Sequence, residues 1–123
     1  MITVLHMTVE TMPREVYLNL TVPCEEHIRS ARARAALAAG HYEVVARVDS
    51  DDLEHAWMVT NNIDSSWSLD PWPTVEVSKP LPTIKGRAYG HRSSMVGDVF
   101  VLNGSVHVVD SFGFTAMPEV MVG

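Results

Sequence analysis

Val99-Phe100-Val101-Leu102-Asn103-Gly104-Ser105-Val106-His107-Val108-Val109 is the stretch that decides the fold. Asn-Gly between two apolar, β-branched runs is the strongest short-range signal for a two-residue type I′ hairpin. Both central positions need positive φ, and these two residue types adopt it most readily. The turn fixes the register: Val99 opposite Val108 and Val101 opposite Val106 on one face, Phe100 opposite His107 on the other. Apolar residues on both sides predict a hairpin at least partly buried on both faces. Gly97-Asp98 forms the turn leading in. Beyond the hairpin, Ser111-Phe112-Gly113-Phe114 leads into a last strand ending near Met117, with Gly113 bending the chain between two buried phenylalanines.

Outward from this hairpin, residues 2–9 are rich in β-branched types and read as a strand. Residues 16–22 alternate Val16, Leu18, Leu20 and Val22 with polar or aromatic neighbours, and read as a second strand. Met12-Pro13-Arg14-Glu15 supplies the turn that makes the two an antiparallel pair. Pro23 suits a first helical position and Glu25 and Glu26 the positive end of a helix dipole, so a helix is expected over 23–39. Its apolar face is Ile28, Ala31, Ala35 and Ala38, and Gly40 closes it. A strand over 41–48 follows, then a second helix capped by Asp51 with Glu54, or by Ser50. That helix carries Leu53, Ala56, Trp57 and Thr60 on one face and ends near Asn61-Asn62. Residues 64–91 lack periodicity and glycine-serine composition but hold Trp67, Trp72 and several prolines, which predicts an ordered arm. The sum is a single α+β domain over 1–123: a mostly antiparallel sheet of five or six strands, two helices on one face and the Asn-Gly hairpin near the C-terminus.

Nine Lys and Arg against fifteen Asp and Glu give a net charge of −6, the wrong sign for general attraction to nucleic-acid phosphates. No apolar run reaches the roughly 18 residues of a membrane span, and residues 1–14 lack a signal-peptide layout. No membrane association and a cytoplasmic location are expected. The single cysteine, Cys24, excludes an internal disulfide.

The chemistry-bearing residues form no recognised catalytic pattern. The six histidines (His6, His27, His41, His55, His91 and His107) show no paired ligand spacing. Cys24 near a helix start has the position of an activated thiol, but a lone cysteine is more often a small buried residue. Ser93, Ser94 and Ser105 lack a nucleophile elbow, and the glycines are scattered through turns instead of forming a phosphate loop. Asp64, Asp98 and Asp110 form an acidic site only if the fold gathers them. Basic residues cluster at Arg29, Arg32 and Arg34 and over 79–92, where a solvated face is the plainer account. Trp57 belongs in the core. Trp67 and Trp72 are either a packing hub or the anchor of an interface.

Two stretches carry a family resemblance. Asp52-Leu53-Glu54, Thr60-Asn61-Asn62-Ile63-Asp64 and Trp67 resemble the acidic-Leu, Thr-Asn, Ile-Asp, Trp segment of small accessory proteins carried by actinobacterial phages and plasmids. Arg92-Ser93-Ser94-Met95-Val96-Gly97-Asp98-Val99, with the later Phe112-Gly113-Phe114, is similar to the ending these share with YodL-like domains; Met95 replaces a small polar residue there. The resemblance spans about 43–114. It implies a non-enzymatic accessory protein without cofactor or catalytic residues, one that binds and modulates a host protein. Candidate contacts are Asn61, Asn62, Asp64, Trp67, Trp72 and Arg92. Ser93, Ser94, Gly97, Asp98, Asn103, Gly104 and the Phe112 to Phe114 turn form a structural motif in which Arg92 pairs with Asp64 or Asp98. The competing readings are a nucleic-acid-associated regulator using 79–92, a self-assembling protein (the partner then being a second copy), and a small enzyme using Cys24 or the aspartates.

Overall fold

The computed structural model describes residues 1–118. Along the chain the elements are β1 (Ile2–Met7), α1 (Arg14–Thr21), α2 (Glu26–Ala38), β2 (Tyr42–Val48), α3 (Leu53–Val59), β3 (Val75–Val77), β4 (Thr83–Ile84), β5 (Arg87–Ala88), β6 (Val99–Leu102), β7 (Ser105–Asp110) and β8 (Gly113–Ala116). Six strands form one antiparallel sheet in the order β3-β2-β1-β6-β7-β8, and β4 pairs with β5 apart from it. The α+β class and an antiparallel sheet of five or six strands are as read from the sequence, with β3 as a member in place of the strand expected over 16–22. β6 and β7 pair Val99 with Val108, Phe100 with His107 and Val101 with Val106. Asn103 and Gly104 both have positive φ, at 48° and 86°, as a type I′ turn requires.

The sheet is covered on both faces. Ile2, Val4, Ala46, Val48 and Phe100 pack with Ala56 and Val59 of α3 and with Trp67. On the reverse face, Met7, Val99, Val106 and Val108 pack with Leu20 of α1 and with Ala33 and Ala36 of α2. The two helices predicted from the sequence, α2 and α3, therefore lie on opposite faces, and α1 is the second helix on the face of α2. Phe114 packs on Phe100 at 5.3 Å between ring centroids.

The largest correction is at 16–22, which is helical, not extended. Both edges of β1 are occupied, by β2 and by β6, so a hairpin partner for β1 has no edge left to join. Val16 and Leu20 lie four apart and share a helical face as readily as a strand face. Leu20 is fully buried while Leu18 and Val22 stay about half exposed. Pro13 stands at the helix N-cap and Glu15 lies in the first turn.

α2 begins at Glu26, after Pro23 and Cys24, and its buried face is Arg29, Ala33 and Ala36. Ala31, Ala35 and Ala38 of the predicted face are exposed. A charged residue decides this rotation. The Arg29 side chain is fully buried and forms an ion pair with Asp110. It also donates from Nε to the Leu20 carbonyl at 3.1 Å and from an Nη to that of Val22 at 2.6 Å. These carbonyls at the end of α1 have no intrahelical donor, so the guanidinium acts as a C-cap from a neighbouring helix.

Three smaller differences follow the same logic. Asp52, not Asp51, caps α3, its carboxylate accepting from the Glu54 N–H at 2.9 Å. Within the 64–91 arm, residues 75–77 join the main sheet beside β2. Phe112 is 98% exposed, because it sits in the β7/β8 turn where Gly113 takes φ of 87°; only Phe114 turns inward.

Candidate partner-binding site

The site grows from the end of α3. Thr60 Oγ1 donates to the Ala56 carbonyl at 2.7 Å, which bends the chain out of the helix. Asn62 then makes three bonds. Its Oδ1 accepts from the Trp67 N–H at 2.9 Å, its Nδ2 donates to the His91 carbonyl at 3.1 Å, and its backbone N–H donates to Ser93 Oγ at 2.8 Å. Trp67 Nε1 donates to the Arg92 carbonyl at 2.7 Å. Its ring stands edge-on to His6 and tilted against His91. Ser68 Oγ accepts from the His91 N–H at 2.7 Å. These bonds stitch residues 60–68 to 91–94, two segments the sequence shows only as separate motifs.

The stitched segments rest on a buried polar clasp. Both oxygens of the fully buried Asp98 carboxylate bond Arg92, at 2.7 and 2.8 Å. They also accept the N–H groups of Met7 and Met95, each at 2.8 Å. His6 Nε2 lies 2.9 Å from Ser94 Oγ, which is 2.7 Å from Thr60 Oγ1. Burial lowers the His6 pKa to about 4, the nearby Asp98 charge opposing that effect only in part. The imidazole is therefore neutral at pH 7. The distance from His6 to Ser94 suits a base and a nucleophile, but both side chains are buried and the Asp98 carboxylate approaches the same Nε2, at 3.8 Å. The orienting carboxylate of a triad bonds the other ring nitrogen. The arrangement is a clasp joining β1, α3 and the 91–98 loop. Gly97, at φ 96°, passes over Met7 in this loop, and its carbonyl accepts from the Tyr42 hydroxyl at 2.6 Å. Burial, then the Asp98 charge, raises the Tyr42 pKa well above its ordinary value.

Outside the clasp, the segment leaves an open cleft of about 480 Å³. Asn61, Asp64, Trp67 and Trp72, four of the candidates read from the sequence, line it together with Met58, Ile63 and Asp70. Trp67 is only 2% exposed, so it forms part of the floor. Trp72 at 53% and Ile63 at 71% are the projecting apolar groups. Asn62 and Arg92 do not line the cleft; they hold its floor through their bonds to Trp67. Arg92 pairs with Asp98, leaving Asp64 on the rim. Met58 and Val59 are the apolar residues of α3 off the Leu53, Ala56, Trp57 and Thr60 face; the structure buries Val59 and leaves Met58 exposed at the cleft. Nothing in the sequence marks His6, which meets Ser94 across 88 positions.

The remaining candidates are dispersed. Asp98 and Asp110 each hold their own arginine. Burial would raise the Asp110 pKa, but bonds from Thr115 and the Ser111 N–H, with the charge of Arg29, bring it below the ordinary value. The thiol of Cys24 is unpaired, ahead of α2, and the neighbouring His27 is exposed and faces Glu25. Of the basic residues over 79–92, Lys79 pairs with Glu43 and Arg92 with Asp98, so the stretch is not one uncompensated patch. Among the described residues, no three His, Cys, Asp or Glu side chains gather to hold a metal ion, and no helix is long and apolar enough to cross a membrane. Comparison of the chain with protein-family models, curated proteins and solved structures gives no match.

Proposed function

We propose that this chain is a non-enzymatic accessory protein of the phage-borne kind its sequence resembles, which binds a protein of the bacterial host in the cytoplasm and modulates it. The observation that carries the reading is the cleft beside α3. Trp72, Ile63 and Met58 expose apolar surface around a concavity whose floor is fixed by hydrogen bonds. A projecting tryptophan beside a pocket with a fixed floor is the composition typical of a binding hot spot. The acidic balance disfavours nucleic acid as the partner.

The test is affinity capture from an actinobacterial lysate with tagged wild-type protein and Trp72→Ala, with and without nuclease. One dominant protein that survives nuclease and disappears with Trp72→Ala, while the variant keeps its wild-type circular dichroism, is the expected result. Capture that vanishes with nuclease, or that ignores Trp72, overturns the reading.

A further inference from the structure

We infer that the cleft beside α3 takes a basic amphipathic peptide segment, one bulky apolar side chain seated against Trp72 and Ile63 with Lys or Arg on either side. This rests on the proposed partner-binding role and names the chemistry of the partner. The charge of the chain is unevenly placed. Residues 49–78, comprising α3, the stitched segment and β3, contain seven acidic residues and no Lys or Arg, although the chain has nine of the latter. The remainder is nearly balanced, so the net charge of −6 belongs to the layer that carries the cleft. Asp64 and Asp70 line the cleft and are exposed. Among the described residues neither has a cation within salt-bridge distance.

Three features of this surface select the occupant. Carboxylates only accept hydrogen bonds, so the rim is matched by donors carrying positive charge. The half-exposed Trp72 ring offers a face on which a guanidinium or ammonium also stacks. A second copy docked through this same face, or a nucleic acid, would bring like charge against Asp64 and Asp70, which electrostatic complementarity disfavours. An anchor side chain against Met58, Ile63 and Trp72, with flanking cations toward Asp64 and Asp70, satisfies both the apolar and the acidic groups that line the cleft.

The test is fluorescence anisotropy of the full-length protein with four dye-labelled peptides of equal length. One has Lys and Arg flanking a single Leu or Trp anchor, one has Gln in place of the cations, one has Glu, and one keeps the cations but replaces the anchor by Ser. The basic anchored peptide is expected to bind best and the acidic one not at all. Trp72→Ala should weaken binding at least about 30-fold, as for a hot-spot tryptophan. The Asp64→Asn, Asp70→Asn double variant should weaken it roughly three- to tenfold, as for two exposed charge pairs. Raising ionic strength from about 0.05 to 0.5 M should weaken it to a similar extent. Neutral and basic anchored peptides binding alike, or an unchanged double variant, would overturn this inference and leave the cleft as a neutral protein-binding site. Equal binding without the anchor would overturn it as a merely ionic attraction. A Trp72-dependent dimer in sedimentation would overturn it in favour of a second copy. If neither peptide binding nor lysate capture depends on Trp72, the underlying partner-binding role falls with it.

Discussion

Replacing Asp98 by Asn tests whether the clasp under the candidate site holds the fold together. The carboxylate is fully buried and uses both oxygens: each takes one Arg92 nitrogen and one backbone N–H, all at 2.7 to 2.8 Å. Asn keeps one acceptor oxygen and turns an NH2 toward one guanidinium N–H and one peptide N–H. Two charge-assisted bonds are lost, each worth about 1.5–3 kcal/mol, and Arg92 loses its counter-charge. Breaking a fully buried pair from one side costs about 3–5 kcal/mol, and because Arg92 is 31% exposed that range is the ceiling here, still a large part of the roughly 5–15 kcal/mol stability usual for a domain. Urea denaturation followed by tryptophan fluorescence reads the loss. With a slope of about 2 kcal/mol per M, the midpoint should fall by up to roughly 2 M. An Arg92→Met, Asp98→Asn double variant should lose at least about 1 kcal/mol less than the sum of the single losses, because the partners share one interaction. A single-variant loss below about 1 kcal/mol, or additive losses, would refute the reasoning.

Arg29→Met should destabilise by about 3–5 kcal/mol in the same assay, since it leaves Asp110 buried without its cation and uncaps the end of α1. A stable variant in which only α1 loses protection from hydrogen exchange would show that the cap matters and the ion pair does not. His6 makes stability fall on acidification. Its folded pKa of about 4 lies below the unfolded value of 6.5, so the unfolded chain takes up the proton first. The stability contribution is whole above pH 6.5, declines as pH falls through that value, and levels off near pH 4. Between pH 7.5 and 4.5 the loss from this group is about 2–3 kcal/mol, and His6→Gln should flatten that part of the profile; an unchanged slope would refute the assignment. Gly97→Ala should cost about 2–4 kcal/mol, because φ is 96° and the added Cβ would lie 3.1 Å from the Met7 side chain and 3.2 Å from the Leu20 carbonyl. Gly104→Ala, with φ of 86° and open space, should cost only the conformational part, about 1–2 kcal/mol; equal losses at the two positions would show that the contacts at Gly97 are irrelevant.

Elements with local signals are legible in the chain alone. Asn103-Gly104 fixed the register of β6 and β7 because only a turn with positive φ at both positions fits between those runs. Gly40 closed α2, and the apolar spacing of Leu53, Ala56 and Trp57 oriented α3. The tryptophans of the arm and the Thr-Asn and Ile-Asp motifs make Trp67, Trp72, Asn61 and Asp64 legible as contact candidates, and Arg92 has Asp98 as one of two acidic partners in reach of its motif. Tertiary structure decided the rest, because it depended on partners distant in the chain. Residues 16–22 carried a pattern that fits strand or helix, and the occupied edges of β1 left only the helix. Arg29 looked like a solvated charge until Asp110, 81 positions away, made burial favourable and rotated α2 about it. Trp67 separated from Trp72 for the same reason. The first found the Arg92 carbonyl and two histidine rings to pack against, while the second, five residues on, found no such partners and remained at the surface.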